Sequence, residues 1–327
     1  MRASSSARLA ARLWLPAAIL TAAGLGLCAP AAGDWLSSHR APSYLVPAIM
    51  LLVSLRVPGA QLLDALRHPL VLLGSLTLIY GVFPLVALAW QTLLGPAGPD
   101  PRAALIILAA QPSTLATATV LTHLAGGNAG LAVIATAASQ VLSVVATPWI
   151  LELYVGHAVP VDTWGLAWDL VRSVLLPVVA GQILRVPLRR WIERRSWALS
   201  LAAESMVVLF VWMGFSTARE ILLQRPVVAL TVLGTVVAIH ATMLALSTGA
   251  GYLLRLDGAG RIAMTLASSQ KTVAAGVLVW QSGFAANALG PIFVVLNHLV
   301  QTVADALLAP FMSRIRIGKR RLFPLTS

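Results

Sequence analysis

Residues 266–279 read LASSQKTVAAGVLV, with RIAMT before them and a further tryptophan after them. Two serines, a glutamine, a lysine and a threonine stand together inside sequence apolar enough to cross a bilayer. Residues 108–121 read LAAQPSTLATATVL and match this stretch, with Thr114 opposite Thr272. Two further pairs follow in the same order and at nearly the same spacing. LRHPLVLLGSL (66–76) matches LQRPVVALTVL (223–233), and SQVLSVVATPWI (139–150) matches QTVADALLAPFM (301–312). The prolines Pro69 and Pro226, and Pro148 and Pro310, fall in register. A repeat at this period describes how a chain is built before any local reading does.

The composition says what is repeated. The chain has 327 residues, of which 58% are hydrophobic and 10% charged, with a mean hydropathy of +0.86. Soluble domains carry about 25% charged residues. Apolar runs near the ~20 residues of a membrane span recur along the chain, without the ~10-residue alternation of a transmembrane barrel. The reading is an all-α polytopic membrane protein forming one transmembrane domain over 1–327. Ten spans are expected: Leu13–Ala32, Ser43–Val57, Pro69–Leu94, Arg102–Leu124, Asn128–Val155, Trp164–Leu184, Ala198–Ala218, Pro226–Leu254, Arg261–Ser282 and Ala286–Ser313. The AGG turn after the fourth and the GFAA turn after the ninth make tight hairpins. The N-terminal segment also has the pattern of a signal peptide. The repeat needs it as a span, so retention is expected.

Five spans per repeat, about 13–155 and about 164–313, is an odd number. The second copy therefore enters the membrane from the opposite side. Inverted repeats of this kind build secondary transporters, with the site near the midplane where the repeats meet.

The net charge of +12 comes almost wholly from arginine. It sets orientation, with no nucleic-acid partner implied. Arg2, Arg8, Arg12, Arg56, Arg67, the run from Arg185 to Arg195, Arg255, Arg261 and the C-terminal tail fall on one side. Arg40, Arg102, Arg219 and Arg225 fall on the other. Both termini are thus expected in the cytoplasm, with the protein in the cell membrane. The single cysteine, Cys28, forms no disulfide framework. No HExxH, GxSxG or P-loop is present, and the histidines lack metal-ligand spacing, so no enzyme is expected.

The polar groups inside the spans locate the site. Pro112 removes a backbone donor and disfavours helix at Gln111. Backbone freed at membrane depth must be buried in protein or line a cavity. The candidate binding residues are therefore Gln111, Pro112, Ser113, Thr114 and Thr117 at the first break, and Ser269, Gln270, Lys271 and Thr272 at the second. Asn128, Thr136, His298 and Gln301 join them, the last two sharing a helix face. Isolated hydroxyls such as Thr119, Thr122 and Ser143 read as packing residues.

A mid-membrane lysine faces a partner, a cavity or a pathway. Lys271 can hold an anionic substrate, stand in the space of a coupling cation, or carry a coupled proton. The structural alternative is an ion pair with Glu204 or Asp305. These two acids are themselves proton-transfer candidates, as is Lys271. Asp169 and Arg172, three apart, are expected to pair with each other. His240, alone in its span, reads as a packing histidine.

The stretches LRVPGAQLLDALRHPLVLLG, QPSTLATATVLTHLAGGN and SQKTVAAG, with NHLVQ in the last span, resemble the bile acid:sodium symporter family, and within it the sodium–bile acid symporter-like branch. The resemblance covers nearly the whole chain. It implies a core of helices three to five and eight to ten on a panel of one, two, six and seven, with discontinuous crossed helices four and nine. It also implies an amphipathic organic anion as substrate. By the same resemblance Gln270 is the glutamine of the ninth-helix motif, and Thr117 and Thr136 fall at sodium-ligating positions. Sodium is thus a candidate coupling ion. But Leu266 stands where sodium-coupled members have glutamate, Ala118 where they have asparagine, Ala132 where they have serine, and Lys271 where asparagine is frequent. The expectation is a secondary transporter of an organic anion, coupled to sodium, to protons or to neither. A proton-driven exporter and a non-transporting sensor on the same fold are the alternatives.

Overall fold

A computed structural model describes residues 5–59, 69–95, 98–157 and 160–321. Arg2 and Arg67, used above for orientation, lie outside the described residues. So do the first three residues of the 66–76 match. Among the described residues there are helices and turns and no strand.

Helix α1 (Ser5–Cys28) is followed by α2 (Ala31–Ser38), bent 94° from it at Pro30, and by α3 (Ala41–Arg56). Helix α4 (Pro69–Leu94) contains a π-helical turn at Leu78–Val82. The fourth expected span is two helices, α5 (Pro99–Ala109) and α6 (Leu115–Leu124). Helix α7 (Ala129–Val155) follows after a tight turn. Then come α8 (Thr163–Arg194), with a π turn at Val171–Leu175, and α9 (Ser196–Gln224) and α10 (Pro226–Leu253). The ninth span is also broken, into α11 (Gly258–Ser269) and α12 (Val273–Gly283), and α13 (Gly290–Arg321) ends the described chain.

Seven of these units are long and apolar enough to cross a membrane, or up to eight if the bent α1–α2 pair is one span. The ten expected spans are thus only partly matched by length. Helix α3 has 16 residues, and the α5–α6 unit is divided by its break. The reason is local: proline and polar residues interrupt apolar runs that composition alone joins.

The helices pack in two groups. Helix α1 lies on α9, and α3 on α8 and α9. Helices α4, α5, α6, α7, α10, α11, α12 and α13 form the second group, in which α10 packs on α4, α11 and α13, and α7 on α6 and α11. Within the first group α3 and α8 approach closely at Gly181, where a Cβ would meet the Ser54 Cβ at 2.7 Å. Gln182 Nε2 donates to the Ser54 carbonyl at 2.8 Å, and Arg185 donates to the Leu55 carbonyl. The α6–α7 turn is closed by Gly126 at φ 74°, a conformation that favours glycine. Gly127 N–H reaches back to the Thr122 carbonyl and Gly126 N–H to His123, which is the double bond of a Schellman cap.

Asp169 and Arg172 do not form the expected ion pair. The Arg172 guanidinium lies over the Trp168 ring at 4.9 Å instead. An aromatic face four residues away on a helix competes well with a carboxylate three away.

Candidate functional site

The two breaks lie against each other. Thr272 N–H donates to the Pro112 carbonyl at 3.0 Å. Thr114 and Thr272 are the N-cap residues of α6 and α12, with nearly the same extended backbone (φ −81°, ψ 121° and φ −82°, ψ 129°).

Each break is held by side chains from the helix that follows it. At the first, Ser113 N–H donates to Ser139 Oγ (3.1 Å), and Gln140 Nε2 donates to the Ser113 carbonyl (2.8 Å), both from α7. At the second, Lys271 N–H donates to Gln301 Oε1 and Gln301 Nε2 donates to the Lys271 carbonyl, each at 2.8 Å, from α13. A buried peptide group must find a partner, and a helix break removes the usual one. One amide side chain, or a hydroxyl and an amide, replaces it.

The Lys271 side chain is fully buried. Its ammonium donates to three backbone carbonyls: Ile79 (2.7 Å), Ala109 (2.7 Å) and Gln111 (2.8 Å). The Phe83 ring lies at 4.3 Å and the Tyr80 ring at 5.5 Å. The sequence frees these carbonyls. In the π turn, Phe83 N–H goes to the Leu78 carbonyl, and Pro84, next in line, has no N–H to offer Ile79. Ala109 ends α5, and Ser113 N–H, the donor a continuous helix would supply to it, is turned to Ser139. The ammonium therefore sits at the negative end of a half-helix. Neither Glu204 nor Asp305 pairs with it. The Glu204 carboxylate lies on α9 and accepts from Ser200 Oγ at 3.0 Å.

Beside the lysine runs a second polar chain, entirely buried. Gln270 Nε2 donates to Asp305 Oδ2 at 2.5 Å, and Thr117 Oγ1 donates to Gln270 Oε1 at 2.9 Å. Thr114 Oγ1 is 3.2 Å from Thr117 Oγ1. His240 Nε2 is 2.9 Å from Asp305 Oδ1, and His240 Nδ1 is 3.3 Å from the Ser269 carbonyl. His240 is thus a buried histidine with both ring nitrogens partnered, joined to this chain through Asp305. Nothing local in α10 marks it, because its partner is on another helix.

Most of the expected residues meet here. Gln111 Nε2 turns back to the Ile107 carbonyl, and His298 Nδ1 meets Gln301 Nε2 at 3.0 Å. Two do not. Asn128 caps α7, accepting from Leu131 N–H, and the Thr136 hydroxyl bonds its own helix at Ala132. Ser139 and Gln140 were not expected. The match of 139–150 to 301–312 sets Ser139 opposite Gln301, which is the signal that could have found the clamp.

A cavity of about 580 Å³ lies between the two helix groups. Ile49, Met50 and Val53 of α3, and Ala203 and Val207 of α9, form one wall. Ala137 and Ala138 of α7 belong to the other. The wall is apolar except for Ser54, Thr114, Gln140, Gln182 and Thr272, so both N-caps after the breaks face it. Lys271 does not line it.

Two broken helices thus meet beside a cavity between two helix groups. Residues 13–314 match the SBF-like CPA transporter family, and the chain belongs to that family. This is a transporter family and not an enzyme family. Among its relatives, an uncharacterized protein of Pseudomonas aeruginosa is 31% identical over 72% of this chain and 73% of its own length. A probable sodium/metabolite cotransporter of Arabidopsis thaliana chloroplasts is 27% identical over 90% of this chain and 71% of its own. An uncharacterized sodium-dependent transporter of Bacillus subtilis is 29% identical over 82% and 78%.

Proposed function

We propose that the protein is a secondary transporter that moves an amphipathic organic anion by alternating access, through the cavity between the two helix groups. The cavity carries this reading. Its volume is in the range of small-molecule sites, its wall suits an apolar body, and the N-termini of α6 and α12 both border it. Helix N-termini favour negative charge, and half-helices present them to anionic substrate groups in transporters. In this reading the chain forms ten spans in two inverted repeats, with α5–α6 and α11–α12 as the crossed pair. The matching Thr114 and Thr272 caps and the matching backbone clamps support that symmetry.

The names of two relatives include sodium. Here the Lys271 ammonium fills a cage of three carbonyls, the kind of ligand set that holds cations at half-helix ends. The lysine is a tethered cation in that cage, so sodium does not bind there.

Taurocholate, an anion with a large apolar body, is a suitable probe in proteoliposomes. Saturable uptake is expected, and Ala138→Trp, which fills the cavity, should abolish it while the chain still folds. Binding of the probe without flux would instead favour a sensor.

A further inference from the structure

We propose that His240 and Asp305 form a proton-binding site that couples proton movement to the second helix break. His240 Nε2 meets a carboxyl oxygen and Nδ1 meets the Ser269 carbonyl, which can only accept. With Asp305 ionised, Nε2–H donates to it, and a hydrogen on Nδ1 would add a bond to Ser269. With Asp305 protonated, it donates to Nε2 and the neutral ring donates from Nδ1. A pair that fills both contacts holds one proton more than an ionised acid beside a neutral imidazole, and its net charge is zero.

Release of that proton leaves one contact with no hydrogen in it, and that contact weakens. The contact that yields is at Ser269, the last residue of α11, or at Asp305, which also holds Gln270 in the break. The proton is therefore linked to the backbone that carries Lys271. Through Gln270 and Thr117 it is linked to Thr114 on the cavity wall. Two buried hydroxyls without a protein partner, on Ser269 and on Thr302 one turn before Asp305, flank the pair.

Other charged and titratable groups on the surrounding helices are engaged elsewhere or are distant in the fold. Lys271 is turned to its three carbonyls, His298 to Gln301 and Glu204 to Ser200. Asp100 and Arg102 on α5, His123 on α6, Arg219 and Glu220 on α9, Tyr252 on α10 and Arg261 on α11 lie near helix ends. Among the described residues, the carboxylate's polar contacts are His240 and Gln270.

In a transport cycle the pair takes a proton from water on one side of the membrane and returns it on the other. This coupling rests on the transport reading, whereas the proton site does not. The purified full-length chain in weakly buffered detergent solution gives the first test, by counting protons taken up as the solution is acidified. Titrated downward from alkaline solution, wild type should show one protonation step that both Asp305→Asn and His240→Gln lack, whereas independent groups would each lose a step of their own. Equal counts in the three proteins, each shown to be helical by circular dichroism, would overturn the site. The second test is taurocholate flux in proteoliposomes under an imposed pH gradient. The gradient should change wild-type flux severalfold, and Thr117→Val, which leaves the pair intact, should keep the extra proton and lose the response. Wild-type flux indifferent to the gradient would overturn the coupling. Absence of flux at every pH would overturn the transport reading and the coupling with it, while the proton count still decides the site.

Discussion

The two helix breaks are alike in backbone and opposite in chemistry. Both end in an extended threonine that caps the next half-helix, and in both the residue before it is clamped through N–H and C=O by side chains of the following helix. Yet Ser113 and Lys271 occupy corresponding places. The first break supplies two carbonyls, from Ala109 and Gln111, and the second supplies the cation that fills them. Repeat symmetry thus fixes the path of the chain, while a single difference between the repeats fixes what the cage holds.

The comparison is most severely tested at those two positions. Lys271→Met removes the only donor to three buried carbonyls, and the loss of stability should be on the order of 4 kcal/mol. Thermal unfolding in detergent would register it as a large fall in melting temperature. Next in size is Gln301→Leu, which removes both bonds of the second clamp and should cost about 3 kcal/mol. The first clamp is divided between two residues. Gln140→Leu and Ser139→Ala should therefore each cost about 1 kcal/mol, and a single substitution there as damaging as Gln301→Leu would break the parallel. The smallest effect belongs to Ser113→Ala. The Ser113 hydroxyl has no protein partner, so its removal should change stability by no more than about 0.5 kcal/mol. Ser113 and Lys271 then mark the two extremes at equivalent places.

How much of this was legible in the sequence follows from what each feature depends on. The breaks could be read because Pro112 and the SSQKT cluster are local and recur in register. Membrane character and the tight turn after α6 came from composition and glycine. The cage could not be read, because its ligands are backbone carbonyls and carry no side-chain signal. Only Pro84, by withholding an N–H, hints that Ile79 is free. The His240–Asp305 contact was missed for a related reason. It joins α10 to α13, and while Asp305 stands out as an acid inside a span, His240 alone does not differ from a buried packing group. The expected Asp169–Arg172 pair failed because Trp168 offered the guanidinium a nearer surface. Span length alone does not make a crossing, since α3 has 16 residues and the α5–α6 unit is divided at the break that Pro112 marks.

The central claim is that Lys271 occupies the cation cage and leaves no place in it for sodium. The direct measurement is the melting temperature of the purified protein in sodium chloride and in choline chloride at matched ionic strength, for wild type and Lys271→Ala. An ion that binds only the folded protein stabilises it by about 2.7 kcal/mol at a hundred times its dissociation constant. The account predicts no difference between the salts for wild type, and a higher melting temperature in sodium for Lys271→Ala. Stabilisation of wild type by sodium, or indifference of both proteins, would contradict it.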